Sequence, residues 1–129
     1  MRPVLLDTNA LLWAFEASPQ LSPAAATVLD DPDTVRLLSA ASLWELAIKH
    51  SIGKLRTSKP LMPEINALLE RHDITVLPIT GAVALCVADL PLHHRDPFDR
   101  LIVAQADAID AELLSPDAIL DAYGIRRLW

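Results

Sequence analysis

The stretch Val4-Leu5-Leu6-Asp7-Thr8-Asn9 decides the fold. Three apolar residues in a row read as a short strand. The run ends on a carboxylate and passes at once into a helical stretch from Ala10 to Phe15, where Leu11, Leu12 and Phe15 recur at helical spacing. In an open α/β sheet, ligands sit beyond the carboxyl ends of the strands. Asp7 is placed to point into such a crevice. Asp is also a preferred helix N-cap, so Asp7 by itself is open to either reading.

The chain continues in the same alternation. Ser22-Pro23 starts a helix that runs to about Leu29, with Ser as cap and Pro at the first helical position. A strand is expected over Val35–Leu38, a helix over Leu43–His50 ended by Gly53, and a further helix opened by Pro63. Ile74–Leu77 reads as a strand, and Thr80 caps a helix to about Ala88. A Pro91–Arg95 loop leads to Asp96-Pro97, which starts a long helix to about Ile109. A strand over Glu112–Leu114, a short helix from Ser115-Pro116 and a last strand over Arg126–Leu128 complete the chain. Strands alternating with helices imply an α/β fold, a central parallel sheet with helices on both faces.

Composition bounds what such a fold can be. A chain of 129 residues, 52% hydrophobic, is one ordinary domain with a real core. No apolar run approaches the ~18 residues of a membrane span. The N-terminus shows no basic region followed by a long apolar stretch, so no signal peptide is expected. The single cysteine, Cys86, lies in an apolar context and is expected to be a small buried hydrophobe. Together these features favour the cytoplasm. With only three glycines and no Gly-x-Gly-x-x-Gly or Gly-Lys-Ser/Thr stretch, dinucleotide binding and P-loop chemistry are excluded.

The net charge of −6 would repel nucleic acid if it were spread evenly. It is not: Asp7, Glu45, Asp96, Asp99 and Asp117 fall where strands feed helices, and without those five the chain is nearly neutral. Each has a local reading. Ser42-x-x-Glu45 is a capping box, and Glu45 stands four residues before Lys49, the favourable ion-pair spacing. Asp96 precedes Pro97 as an N-cap, Asp99 lies in the first helical turn, and Asp117 follows Ser115-Pro116 in the same way. Capping does not explain why all five recur toward one sheet edge. Gathered carboxylates must protonate or bind a cation. An all-oxygen set without Cys or paired His suits Mg²⁺ or Mn²⁺, ions that activate water and clamp phosphoryl oxygens.

Three blocks then resemble the signature of PIN-domain ribonucleases, and more closely the VapC-type toxins of bacterial toxin–antitoxin pairs. They are Leu5-Leu6-Asp7-Thr8-Asn9, Ser42 to Lys49, and His94-Arg95-Asp96-Pro97-Phe98-Asp99-Arg100 on through Ala106. The closing Tyr123-Gly124-Ile125 and Leu128-Trp129 fit the same group. The resemblance implies a PIN-like α/β/α sandwich, a Mg²⁺- or Mn²⁺-dependent endoribonuclease, an RNA substrate, a homodimer and a small antitoxin partner. It makes Asp7, Glu45 and Asp99 the metal ligands and Asp117 the acid that completes the site. Asp96 matches an extra acid of the third block. Ser115 stands where the family has Thr, with Pro116 intervening, and Asp110-Ala111 replaces a usual glycine. Thr8, Asn9 and Ser42 flank the acids and either orient them or serve local turns.

Lys49, His50, Lys54, Arg56 and Lys59 form a basic stretch, with no acid from Leu46 to Pro63, that is expected to flank the metal site and hold RNA. Solvated surface is the plainer reading of such a run. The helices around Trp44–Ile48 and Leu61–Leu69 carry surplus apolar surface, which suits contact between copies; Trp44 reads as core or as part of that contact. His93-His94, in a proline-bounded loop, is expected to be exposed and outside the chemistry. Two rival classes remain open. A phosphoaspartate phosphatase or receiver would want an acid where Asn9 stands or a paired acid and late lysine. A catalytically inactive binding module would keep the acids without turnover.

Overall fold

The computed structural model describes residues 2–129. Its centre is a five-stranded sheet, every pairing parallel, in the order β3-β2-β1-β4-β5. The strands are β1 (Val4–Leu6), β2 (Arg36–Ser39), β3 (Ile74–Leu77), β4 (Glu112–Leu114) and β5 (Arg127–Leu128). The helices are α1 (Thr8–Glu16), α2 (Pro23–Asp30), α3 (Ala40–Ser51), α4 (Ile65–Arg71), α5 (Gly81–Cys86) and α6 (Pro97–Ala108). Successive strand side chains point to opposite faces, so β1 serves two cores. Val4 and Leu6 pack with residues of α1 to α4, among them Leu11, Leu29, Leu46 and Leu68. Leu5 packs on the other face with Ile102, Val103 and Ala106 of α6 and with Leu113. The expected sheet between two helical layers is what the chain forms.

Element boundaries differ from expectation where a polar side chain decides them. β2 starts at Arg36 and not Val35, which is half exposed. α3 begins at Ala40 because Ser39, whose Oγ accepts the Ala41 N–H at 2.9 Å, is the cap. Ser42 therefore caps nothing, the capping box with Glu45 does not form, and Glu45 lies in the helix interior. The helix after Thr80 ends at Cys86 and tightens into a 3₁₀ turn, Val87–Asp89. Ser115-Pro116 starts no α-helix; Asp117 instead caps a 3₁₀ helix over Ala118–Tyr123. Cys86 is exposed, against expectation, because short α5 buries none of its residues. The α3–α4 connection turns at Gly53, whose φ of 71° suits glycine. Asp110 takes a left-handed φ of 53° and pairs with Arg126 and Arg2.

Arg36, on the second strand, is buried to 7% exposure and spends its guanidinium on backbone. Nε donates to the His72 carbonyl at 2.7 Å, and Nη1 donates to the carbonyls of Leu29 (3.1 Å) and Asp31 (2.7 Å). These carbonyls end α2 and α4, where the helix dipole favours a cation. Arg36→Leu leaves them without that donor, and the expected loss is about 3 kcal/mol of unfolding free energy. Urea titration of the two proteins checks it; a difference under about 1 kcal/mol, the worth of a single ordinary hydrogen bond, contradicts the role assigned to Arg36.

Candidate active site

Sheet order makes the site. The chain adds β2 and β3 on one side of β1, then crosses to place β4 on the other. The boundary between β1 and β4 is a topological switch point, where a parallel sheet opens a crevice at its carboxyl edge. Asp7 follows β1 there, its N–H donating to the Leu114 carbonyl at 3.0 Å, and Ser115 and Asp117 follow β4. The crevice holds a cavity of about 140 Å³ lined by Asp7, Thr8, Asn9, Glu45, Lys49, Asp96 and Asp99.

Each acid is held by a local cause. Asp7, 5% exposed, caps α1, its Oδ1 accepting the Ala10 N–H at 2.7 Å. Glu45 reaches the cavity from the interior of α3, with Lys49 Nζ 3.5 Å from its Oε2. Thr8 Oγ1 lies 2.6 Å from Glu45 Oε1 and 3.0 Å from Ser42 Oγ. A hydroxyl has one proton, so Thr8 donates to Glu45 while buried Ser42 donates to Thr8. Asp96 caps α6, its Oδ1 accepting from the amides of Phe98 (2.8 Å) and Asp99 (3.3 Å). Asp99 follows one turn in. Buried Ser115 accepts the Asp117 N–H at 3.1 Å, and Asp117 Oδ1 caps Ile119 at 3.1 Å. Asn9 is exposed at the rim.

The gathering has an electrostatic signature. Burial pushes Asp7 up to about 6, with the charges of Glu45 and Asp117 adding to it, against the Ala10 amide and the Ser115 hydroxyl. Asp99 is pushed up to about 7 by burial and then by the charge of Asp96, with Asp7 and Glu45 adding to it. Two carboxyls thus resist ionisation beside others in the same pocket, and a hard cation would relieve that. An all-oxygen donor set fits Mg²⁺ or Mn²⁺.

Other residues stand differently from expectation. His94 is half buried and part of the cluster: its Nε2 is 2.8 Å from Asp117 Oδ2 and 3.4 Å from Asp99 Oδ2. Only His93 is exposed, its ring edge-on to Tyr123. Nothing in the sequence near His94 pointed to Asp117, 23 residues on. Of the basic stretch, Lys49 lines the cavity, and the connection then runs back along α1. Arg56 lines a groove with Trp13 and Glu16, and Lys59 lies 5.5 Å from the Phe15 ring centroid. Those positions are at the far end of α1, roughly 13 Å from Asp7 by the helical rise. Lys54 and His50 are exposed. Trp44 is no core residue: it is 62% exposed, edge-on to Phe98. Ile48 and Ile52 extend the exposed apolar stripe, whereas Leu61, Leu68 and Leu69 are buried within the chain's own core.

An α/β domain with acids gathered at the switch point of a parallel sheet is the class these features define. The sequence pattern of the PIN domain matches residues 4–125, and the chain belongs to that family. Among solved structures, a chain of VapBC2 from Rickettsia felis, bound to a DNA fragment from their promoter, is similar with a TM-score of 0.72 at 15% identity, covering 96% of each chain. A chain of VapBC-1 from nontypeable Haemophilus influenzae gives 0.65 at 19% identity, covering 96% of this chain and 95% of that one. FitAcB from Neisseria gonorrhoeae gives 0.62 at 20%, with the same coverage. At such identities the likeness is one of fold. No curated protein matches the chain.

The raised carboxyls set a pH dependence. In the unfolded chain both acids ionise near 3.8, and in the folded chain near 6 and 7. Between those limits the folded state holds more protons, so stability falls as pH rises through the window. Metal-free protein is expected to lose Tm between about pH 4 and about pH 7, and Asp99→Asn to lose distinctly less. Thermal melts of both proteins in chelator test this; equal slopes would show that Asp99 is not strained by its surroundings.

Proposed function

We propose that this protein is the RNA-cleaving toxin of a bacterial toxin–antitoxin pair, a Mg²⁺- or Mn²⁺-dependent endoribonuclease. The observation that carries the reading is the convergence of Asp7, Glu45, Asp96 and Asp99 on one cavity, two of them resisting ionisation. Asp7, Glu45 and Asp99 would hold the ion, with Asp117 completing the site and Asp96 supporting it. A divalent ion bound there supplies an acidified water and neutralises charge that builds on a scissile phosphate. The chain's own residues prepare the place: Thr8 and Ser42 orient Glu45, Ser115 meets both Asp7 and Asp117, and Lys49 brings a cation to the rim. Fold likeness to the VapBC and FitAcB structures supports an antitoxin partner. The exposed Trp44, Ile48 and Ile52 stripe supports a further protein contact, here the homodimer, and the lone unpaired cysteine suits the reducing cytoplasm.

Asp7→Asn, Glu45→Gln and Asp99→Asn keep side-chain size and remove charge. Each is expected to lower metal-dependent cleavage of an RNA panel by more than about a hundredfold while the protein stays folded, since losing a supporting contact alone costs about 10–100-fold. Asn still caps α1 at position 7. Gel-based cleavage rates with circular dichroism of each variant test this; full activity in Asp7→Asn would end the assignment.

RNA contact by the basic stretch is a separate matter. In the Asp99→Asn background, Lys54, Arg56 and Lys59 changed together to Ala should weaken RNA binding across sequences. The slope of log affinity against log salt should flatten by about 0.7 per lost phosphate contact. Fluorescence anisotropy over a salt series measures it. An unchanged slope would move RNA contact away from these three side chains, with His94, Arg95 and Arg100 the next candidates.

A further inference from the structure

The loop before α6 holds a histidine that none of the foregoing chemistry uses. His94 Nδ1 accepts the backbone N–H of Asp96 at 3.0 Å. On the opposite side of the ring, Nε2 lies 2.8 Å from Asp117 Oδ2. A neutral imidazole has one N–H and one acceptor nitrogen. Since Nδ1 accepts, the proton is on Nε2 and is donated to Asp117.

That assignment also bears on what His94 is not. The facing atoms of His94, Asp99 and Asp117 lie within 4.8 Å of one another, close enough to enclose a cation. Coordination through Nε2 needs its lone pair, and in this tautomer that nitrogen carries hydrogen. Becoming a ligand would require moving the proton to Nδ1 and breaking the bond from Asp96.

The ring is held as a working part. The His94 backbone N–H donates to Tyr123 Oη at 3.0 Å. The Arg100 guanidinium ties the preceding segment down, donating to the carbonyls of Val87 and Pro91 at 3.0 Å and of Leu90 at 3.3 Å. Asp117 Oδ1 is already engaged by the Ile119 amide, so His94 fixes the second oxygen and with it the carboxylate's orientation.

We infer that His94 is a positioning residue of this site: its Nε2–H orients Asp117 at the edge of the acidic cavity, and it acts through that carboxylate and not as a metal ligand. The inference rests on the nuclease reading above, and its test separates the two. ¹⁵N NMR of the metal-free, full-length protein should show His94 as the Nε2–H tautomer; an Nδ1–H ring overturns the inference whatever the activity. Mn²⁺ affinity by electron paramagnetic resonance, with Mg²⁺ in competition, gives the second readout. His94→Asn keeps an acceptor for the Asp96 amide and is too short to reach Asp117. It should weaken both ions equally, by about tenfold. His94→Gln, whose amide nitrogen extends to about the place of Nε2, should recover most of the loss. A loss confined to Mn²⁺ would make His94 a ligand and overturn the inference, as would wild-type affinity in His94→Asn. The double variant with Asp117→Asn should be no weaker than Asp117→Asn alone, and an additive loss overturns it. Wild-type protein that binds neither ion refutes the nuclease reading instead, and the tautomer still stands or falls by NMR.

Discussion

A parallel sheet sends the carboxyl ends of all its strands to one edge, and the position of β1 turns that edge into a site. β1 is paired on both sides, to β2 and to β4, so the chain must reverse its direction of growth across it. Right-handed crossovers then put helices on opposite faces on either side of the reversal. The two cores follow that division, α1 to α4 against one face of β1 and α6 against the other. Where the layers part, no side chain of either core fills the gap. Asp7 lies there because it is the residue after the central strand, and Ser115 and Asp117 lie there because they follow its neighbour.

Gathering carboxylates costs free energy, and the fold offsets part of it by using the same groups twice. Asp7, Asp96 and Asp117 each cap a helical segment with one oxygen. A cap satisfies amides that would otherwise lack partners and sets a carboxylate against the positive end of a helix. The second oxygen of each remains for the crevice, or, in Asp117, for His94. Glu45 has no amide to cap and is held by the Thr8 hydroxyl, itself bonded to Ser42, and by Lys49. The local requirement and the chemical one are therefore met by single residues.

This double use explains which parts of the molecule were legible in the sequence. Asp7, Asp96 and Asp99 stand out because their local signals, strand then helix or Asp-Pro at a helix start, lie within a few residues. The sheet was legible for the same reason, since each strand is a short apolar run with a clear successor. Ser39 and Ser42 could not be told apart, because both precede a helical stretch and only tertiary burial selects the cap. Cys86 read as core from its apolar neighbours, but a helix as short as α5 has no buried face. His94 was beyond reach, because its meaning lies in Asp117 and Tyr123, which the sheet brings back from the other end of the chain.

Arg100 gives the segment ahead of α6 an unusual mechanical character. Val87 to Pro91 is a 3₁₀ turn and the start of the loop that follows it, the kind of surface segment that ordinarily absorbs insertions and varies in length. Here one guanidinium collects three of its carbonyls, doing for this segment what a neighbouring strand does in a sheet. The reach of a single side chain therefore sets the length of the connection. Added residues have room between Lys54 and Ser58, where backbone ties to the rest of the protein are few, and not between Val87 and Arg95. Asp96 caps α6 and His94 is bonded to the Asp96 amide, so displacement of the helix would displace both residues with it.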